Sequence, residues 1–94
     1  MITSFNSKET KSIFDGFKSP HYPPDIQTVA LRKLLIINAA VSLNDLRVPP
    51  GNRLKKLEGD REGRYSIRIN DQWRIRFVWT DECNAEQVEI VDYH

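Results

Sequence analysis

The chain has 94 residues, of which 39% are hydrophobic and 29% charged, and its formal net charge at neutral pH is +1. This length predicts one domain over residues 1–94 with a small core, and the composition excludes a disordered or low-complexity chain. With one cysteine, Cys83, no bilayer-length apolar run and no recognisable signal peptide, we expect a cytoplasmic protein without an internal disulfide or a membrane span.

The small net charge conceals a segregation along the chain. Residues 47–76 carry nine Lys or Arg and four Asp or Glu, whereas residues 81–94 carry five acidic residues and no Lys or Arg. A basic middle of this kind attracts a polyanion such as nucleic acid. Alternatively, the acidic segment pairs with the basic one and the charges largely cancel. Charge alone leaves both readings open.

The N-terminal third predicts a short strand and a helix. Residues 2–5 are typical of a strand, and Asn6 or Ser7 can cap a helix that runs to about Phe17. The apolar stripe of this helix is formed by Ile13, Phe14 and Phe17. Gly16 and the prolines that follow it end the helix.

A second helix is predicted from Pro24-Asp25 onward. Its apolar residues recur every 3.6 positions, at Ile26, Val29, Ala30, Leu34, Ile37 and Val41. Arg32, Lys33 and Asn38 fall on the opposite, solvent side. Residues 42–53 predict a loop, because Pro49-Pro50-Gly51 can continue neither a helix nor a central strand.

The C-terminal half predicts strands. A short strand spans Leu54 to Leu57, two longer strands alternate apolar and polar residues over 65–79, and a last strand runs from about Glu86 to Asp92. The alternation keeps its phase only if Ile69 opposes Trp73 across a three-residue hairpin loop. Trp73, Phe77 and Trp79 then belong to the core. Without the short segment over residues 54–57, the predicted fold is α+β in the order β-α-α-β-β-β, with two helices packed on a twisted antiparallel sheet.

Two groups of residues suggest RNA chemistry. Arg68, Arg74 and Arg76 fall on the face of the sheet away from the core, and planar guanidinium groups suit phosphate oxygens. Asp92, Tyr93 and His94 end the sequence and offer groups that can move protons. Together they point to a small protein that cuts or grips RNA. A zinc site is not expected, because the sequence has two histidines far apart and one cysteine.

Longer motifs carry a resemblance to a known family. They are Pro50-Gly-Asn-Arg-Leu54, Leu57 with Gly59-Asp-Arg61 and Gly63, Ser66-Ile-Arg-Ile-Asn-Asp-Gln-Trp-Arg74, and Val88-Glu-Ile-Val-Asp-Tyr-His94. In these segments the chain resembles the HigB-type "killer" toxins of type II toxin–antitoxin modules, in the RelE/ParE superfamily. The resemblance implies a RelE-like, microbial RNase-like fold and ribosome-dependent cleavage of messenger RNA. It also implies a neutralising HigA-type helix-turn-helix antitoxin, which alone would contact operator DNA.

The expected reaction is attack of the RNA 2′-oxygen on the adjacent phosphate, which requires neither a metal nor a cofactor. Arg68 and Arg74 are predicted to grip the scissile phosphate, and His94 is the expected carrier of a proton near neutral pH. Asp92 acts either as the base or as an orienting group, and Tyr93 either stacks on a base or donates a proton. Lys55 stands where many relatives carry an active-site histidine, and it holds a phosphate or assists proton transfer. Further RNA contacts are assigned to Arg53, Lys56 and Arg76, although Arg76 can instead pair with Glu89.

Two other functions remain open from the sequence. A ParE-like toxin on the same fold would inhibit DNA gyrase by binding and would not need the terminal Tyr93-His94. An antitoxin-binding co-repressor would need the exposed basic face only for protein contacts. The favoured prediction is an endoribonuclease toxin that enters the ribosomal A site.

Overall fold

The structure, a computed structural model, describes residues 1–57 and 63–92. Two helices, α1 (Lys8–Phe14) and α2 (Pro24–Ala39), precede four strands, β1 (Lys55–Lys56), β2 (Arg64–Arg68), β3 (Trp73–Trp79) and β4 (Ala85–Asp92). The strands form one antiparallel sheet in the order β1-β2-β3-β4. The predicted α+β class, with two helices on an antiparallel sheet, is therefore confirmed.

The predicted first strand is wrong in form. Ile2 and Phe5 make two isolated bridges to the outer edge of β4, and they run parallel to it. Between these bridges the hydroxyl group of Ser4 accepts the backbone N–H of Gln87 at 2.8 Å, where Gln87 adopts φ 53°. Because a side chain takes the place of a backbone acceptor there, the segment does not form a regular ladder.

Helix α1 is shorter than predicted. Ser7 caps it by accepting the N–H of Thr10 at 3.1 Å, and Ile13 packs in the core. The helix ends at Phe14, and Gly16 follows at φ 93°, a left-handed conformation that glycine adopts readily. Phe17 consequently lies beyond the helix with 68% of its surface exposed, so its assignment to the apolar stripe was wrong.

A buried hydroxyl group ties α1 to the end of the last strand. Thr10 Oγ1 accepts the N–H of Ile90 at 3.0 Å and lies 3.1 Å from the hydroxyl oxygen of Tyr22. The Tyr22 hydroxyl group also donates to the Ile90 carbonyl oxygen at 3.4 Å. Ile90, which pairs with Ile75 of β3, therefore also has side-chain partners for its backbone N–H and carbonyl groups.

Helix α2 begins at Pro24 as predicted, and Ile26, Ala30, Leu34 and Ile37 are buried. Two assignments were wrong. Val41 lies past the helix and is 76% exposed, and Lys33, predicted on the solvent side, is only 5% exposed. The long stem of Lys33 bends inward, and its ammonium group donates a hydrogen bond to Asn52 Oδ1.

The predicted hairpin register is confirmed. Arg68 pairs with Arg74, and the N–H of Ile69 donates to the carbonyl oxygen of Trp73 at 2.9 Å. Phe77 is buried, and both tryptophans pack against the core, as predicted. The turn is fastened by Asn70 Oδ1, which accepts the N–H of Trp73 at 2.8 Å.

The predicted loop over residues 42–53 contains two 3₁₀ turns, Leu43–Arg47 and Pro50–Asn52. Leu46 and Asn52 are fully buried. Arg53 follows in a left-handed conformation, at φ 44° and ψ 57°. This segment therefore packs onto the body of the protein before β1 begins. Among the helices that the structure describes, none is long and apolar enough to cross a membrane.

Candidate active site

A row of polar side chains crosses the sheet on the face opposite the core. Lys55 pairs with Ser66, Ser66 with Arg76, and Arg76 with Glu89. Directly opposed residues of antiparallel strands share a face, so this row and the neighbouring Arg68–Arg74 pair lie together. A cavity of about 540 Å³ opens over part of this face, and it is lined by Lys55, Lys56, Leu57, Ser66, Arg74, Arg76 and Val91. The structure thus places predicted cations of β1 and β3 around one cavity, and Arg68 of β2 lies on the same face of the sheet.

Arg74 is the best-anchored of these cations. Only 8% of the residue is exposed, and Nε donates to Ser66 Oγ at 2.8 Å. Nη2 donates to the carbonyl oxygens of Arg53 at 2.7 Å and Ser66 at 3.2 Å. These acceptors hold the guanidinium group in the wall of the cavity. Its positive charge is therefore fixed in position, and the side chain need not rearrange to present it.

Arg76 and Arg68 each meet a carboxylate. Arg76 donates to Glu89 Oε1 through both Nε, at 3.0 Å, and Nη2, so the alternative of a pair with Glu89 is realised. Arg68 donates through Nη2 to Asp71 in the hairpin loop. The acidic last strand therefore offsets part of the basic charge of β3, while the hairpin supplies its own acid.

Asp71 is held in its charged form. The hydrogen bond from Arg68 comes first, and the attraction of the Arg68 and Arg53 charges adds to it, so the pKa of Asp71 lies below its usual value. Because the carboxylate is exposed, solvent screens this ion pair. The Arg68 side chain is itself partly exposed.

The remaining predicted cations are exposed. The side chains of Lys55 and Lys56 are exposed on the edge strand β1, and both line the cavity. Arg53 is exposed as well, and its backbone carbonyl oxygen is the group that contacts Arg74. Its positive φ turns the chain sharply between the 3₁₀ turn and β1.

Asp92 occupies a different position from the arginines. It pairs with Trp73, so it lies on the core side of the sheet's alternation, and its Oδ2 accepts from Gln72 Nε2 at 3.1 Å. This contact links the end of β4 to the β2–β3 hairpin. Tyr93 and His94 lie outside the described residues, as do Gly59, Asp60 and Arg61 of the matched motifs.

Three site-forming residues had no predicted role. The two-residue period places Ser66 on the same face of β2 as Arg68, so its position was predictable. Its Oγ accepts the hydrogen bond from Arg74 Nε. Asn52 and Lys33 meet across 19 positions of sequence, and no local pattern predicts their contact.

Within residues 1–57 and 63–92, no group of three or more His, Cys, Asp or Glu side chains is placed to hold a metal ion.

Comparison with known proteins decides the family. The model of the HigB-like toxins, described as the RelE-like toxin of the type II toxin–antitoxin system HigB, matches residues 3–94. The chain belongs to the HigB-like toxin family. Toxin HigB-1 of Vibrio cholerae serotype O1 is 40% identical over 82 residues, which cover 86% of each chain. Endoribonuclease HigB of Proteus vulgaris is 34% identical over 95 residues, and the match covers both chains in full.

Membership of the HigB-like family confirms the prediction of a type II toxin. A toxin of such a system has an antitoxin as its partner, so the expectation of an antitoxin is confirmed at that level. An uncharacterised protein of Haemophilus influenzae is also similar, at 44% identity over 57 residues that cover 61% of this chain and 56% of its own.

Proposed function

We propose that this HigB-like toxin is a ribosome-dependent endoribonuclease that cleaves translated messenger RNA in the ribosomal A site. Support comes from the full-length similarity to a protein named Endoribonuclease HigB and from the cationic cavity on the sheet. The observation that carries the proposal is the anchored guanidinium group of Arg74 beside Lys55, on one face of the sheet.

The reaction fits the groups that the cavity offers. The RNA 2′-oxygen attacks the adjacent phosphorus in line, the bond to the 5′-oxygen breaks, and the products are a 2′,3′-cyclic phosphate and a 5′-hydroxyl. A protein accelerates this by removing the 2′ proton, stabilising the added negative charge and protonating the leaving oxygen. Arg74 supplies fixed positive charge to the phosphate, and Arg68 on β2 and Lys55 on β1 add to it.

The C-terminal residues carry the proton steps in this proposal. His94 transfers a proton near neutral pH, and Tyr93 donates a proton or stacks on a base. Asp92 contacts Gln72 and follows the alternation of Trp73, so we assign it to orientation of the C-terminal residues rather than to contact with the phosphate. Arg53 and Lys56 bind the RNA backbone around the cleaved position, and Arg76 contributes only once it is freed from its ion pair with Glu89.

The partners follow from the site and the family. Messenger RNA on the ribosome is the substrate, and the ribosome orients it, which suits a small site of few groups. A HigA-type helix-turn-helix antitoxin neutralises the toxin and supplies the contact with operator DNA. Both toxin and ribosome meet in the cytoplasm.

A cleavage assay tests the proposal. The purified protein is added to a defined message with and without programmed ribosomes, and the RNA ends are mapped. We expect cuts only with ribosomes, with 2′,3′-cyclic phosphate and 5′-hydroxyl ends. Lys55→Ala and a chain shortened to residue 92 should lose cleavage while remaining folded, and Lys8→Ala, which removes an exposed lysine from α1, should not. Arrest of cells without any cleavage would exclude this function and make DNA gyrase the next target to test.

A further inference from the structure

Lys33 is a buried cation with no assigned role in the reaction. It lies on α2 with 5% of its surface exposed, and its ammonium group donates to the side-chain oxygen of Asn52. Within the described residues, no carboxylate lies at ion-pair distance from it. Burial, and then the like charges of Arg32 and Arg68, lower the pKa of Lys33. Burying a charge against a neutral amide is unfavourable, so the contact calls for a compensating role.

Asn52 connects Lys33 on α2 to the two 3₁₀ turns. The residue is fully buried, and its Nδ2 donates to the carbonyl oxygens of Leu46 and Val48, both at 3.2 Å. Its Oδ1 is the atom that accepts from Lys33. Each side of the amide therefore has a partner, and the two 3₁₀ turns are tied to α2 through one side chain.

The turn ends at the group that holds Arg74. Arg53 follows Asn52 directly, adopts the left-handed conformation, and presents its carbonyl oxygen to Arg74 Nη2 at 2.7 Å. A continuous path therefore runs from Lys33 through Asn52 and the Arg53 backbone to the guanidinium group in the cavity wall. Each link is a hydrogen bond or a direct peptide connection.

We propose that Lys33 and Asn52 are positioning residues of the RNA-cleaving site, which hold the Arg53 carbonyl oxygen where it orients the Arg74 guanidinium group. This inference rests on the proposed function for its kinetic readout. Neither residue touches the RNA. Their loss displaces the charge of Arg74 from the phosphate and leaves the binding surface of the toxin in place.

The chain offers a matched pair of variants. Lys33→Met removes the ammonium group but keeps an unbranched, apolar stem, and Arg32→Met removes the neighbouring charge, which is exposed and makes no described contact with Asn52. Cleavage on programmed ribosomes is measured as kcat and KM, and thermal unfolding confirms that each variant is folded at the assay temperature. We expect kcat of Lys33→Met to fall about tenfold with KM unchanged, since small displacements of a positioned group cost this much or more. Arg32→Met should keep the kcat of the original chain.

A second measurement reports on Arg74 itself. In ¹⁵N-labelled protein, the Nε–H signal of Arg74, assigned with Arg74→Lys, should shift in Lys33→Met. The Nε–H signal of Arg76, which donates to Glu89, should not shift. Unchanged kcat with an unchanged Arg74 signal, or equal kinetic effects of the two methionine variants, would overturn the positioning role. If the original chain does not cleave RNA at all, the proposed function fails, and the Arg74 signal alone decides this inference.

Discussion

The guanidinium group of Arg74 donates to the backbone carbonyl oxygen of Arg53 at 2.7 Å, so one arginine of the candidate site orients another through its main chain. Ser66 completes the arrangement by accepting from Nε at 2.8 Å. A fixed cation of this kind is suited to a charge that develops during a reaction, because its dipoles are already in place.

Arg74→Lys tests this arrangement directly. Lysine keeps the charge but cannot reach Ser66 and the Arg53 carbonyl oxygen together, because it lacks the planar fork of the guanidinium group. We expect the free energy of unfolding to fall by about 1–3 kcal/mol, the cost of leaving buried partners unsatisfied. Ribosome-dependent cleavage should fall about 100-fold. Denaturant unfolding and the cleavage assay measure the two effects, and full activity in the lysine variant would show that charge alone suffices.

Glu89→Gln should release Arg76 to the RNA. In the structure Glu89 accepts from both Nε and Nη2 of Arg76, which holds that cation in an ion pair. Without the carboxylate, we expect tighter binding of a short single-stranded RNA and a salt slope of log K steeper by about 0.7, the value for one added phosphate contact. Titration over a range of salt concentrations measures the slope. Glu82→Gln, which changes an exposed acid in the turn before β4, should leave the slope unchanged.

Thr10→Val tests the link between α1 and the end of β4. Valine has nearly the same shape, but it removes the oxygen that accepts the N–H of Ile90 and contacts the Tyr22 hydroxyl group. We expect the free energy of unfolding to fall by about 1–3 kcal/mol, because a buried donor loses its partner. The matched variant Thr28→Val, at an exposed site of α2, should change it by no more than about 0.5 kcal/mol. Equal effects of the two variants would contradict the link.

Acid should weaken the β2–β3 hairpin through Asp71. The folded protein lowers the pKa of this carboxyl group, chiefly through the hydrogen bond from Arg68, so the folded state binds the proton less readily than the unfolded state. The stabilisation is therefore present above the ordinary carboxyl pKa and is lost as the pH falls through the lowered value. Asp71→Asn should remove this contribution, which the difference between the two acid titrations of unfolding would show. Parallel titration curves would contradict it.

Raising the pH into the alkaline range should stabilise the fold through Lys33. Burial is the main cause that lowers the pKa of Lys33 below its ordinary value of 10.5. Between the lowered pKa and 10.5, the unfolded state therefore binds more protons than the folded state. The free energy of unfolding should therefore gain a contribution that rises with pH up to about 10.5 and is absent below the lowered pKa. Lys33→Met lacks the titrating group, and the difference between the two chains as a function of pH isolates the effect. A difference that is independent of pH above neutrality would contradict this assignment.

Local periodicity determined much of the fold and one face of the site. The two-residue alternation placed Arg68, Arg74 and Arg76 together and set the hairpin register, because a slip of one residue would move every apolar side chain of the strand out of the core. The 3.6-residue period located α2, because the apolar side chains of a helix must lie on the side that faces the core. The specific motifs over most of the chain indicated the HigB-like family.

Tertiary structure decided the rest, because it depends on contacts between residues far apart in sequence. Lys33 has a flexible stem that can direct its charge either way along a helix surface, and only the position of Asn52 turns it inward. The same holds for Arg74, which the alternation places on a polar face but which Ser66 and the Arg53 carbonyl oxygen bury and orient. A period records which side of an element faces the core. It does not indicate which distant polar atom accepts a hydrogen bond from a given side chain. In this site, those distant acceptors determine where the cations lie.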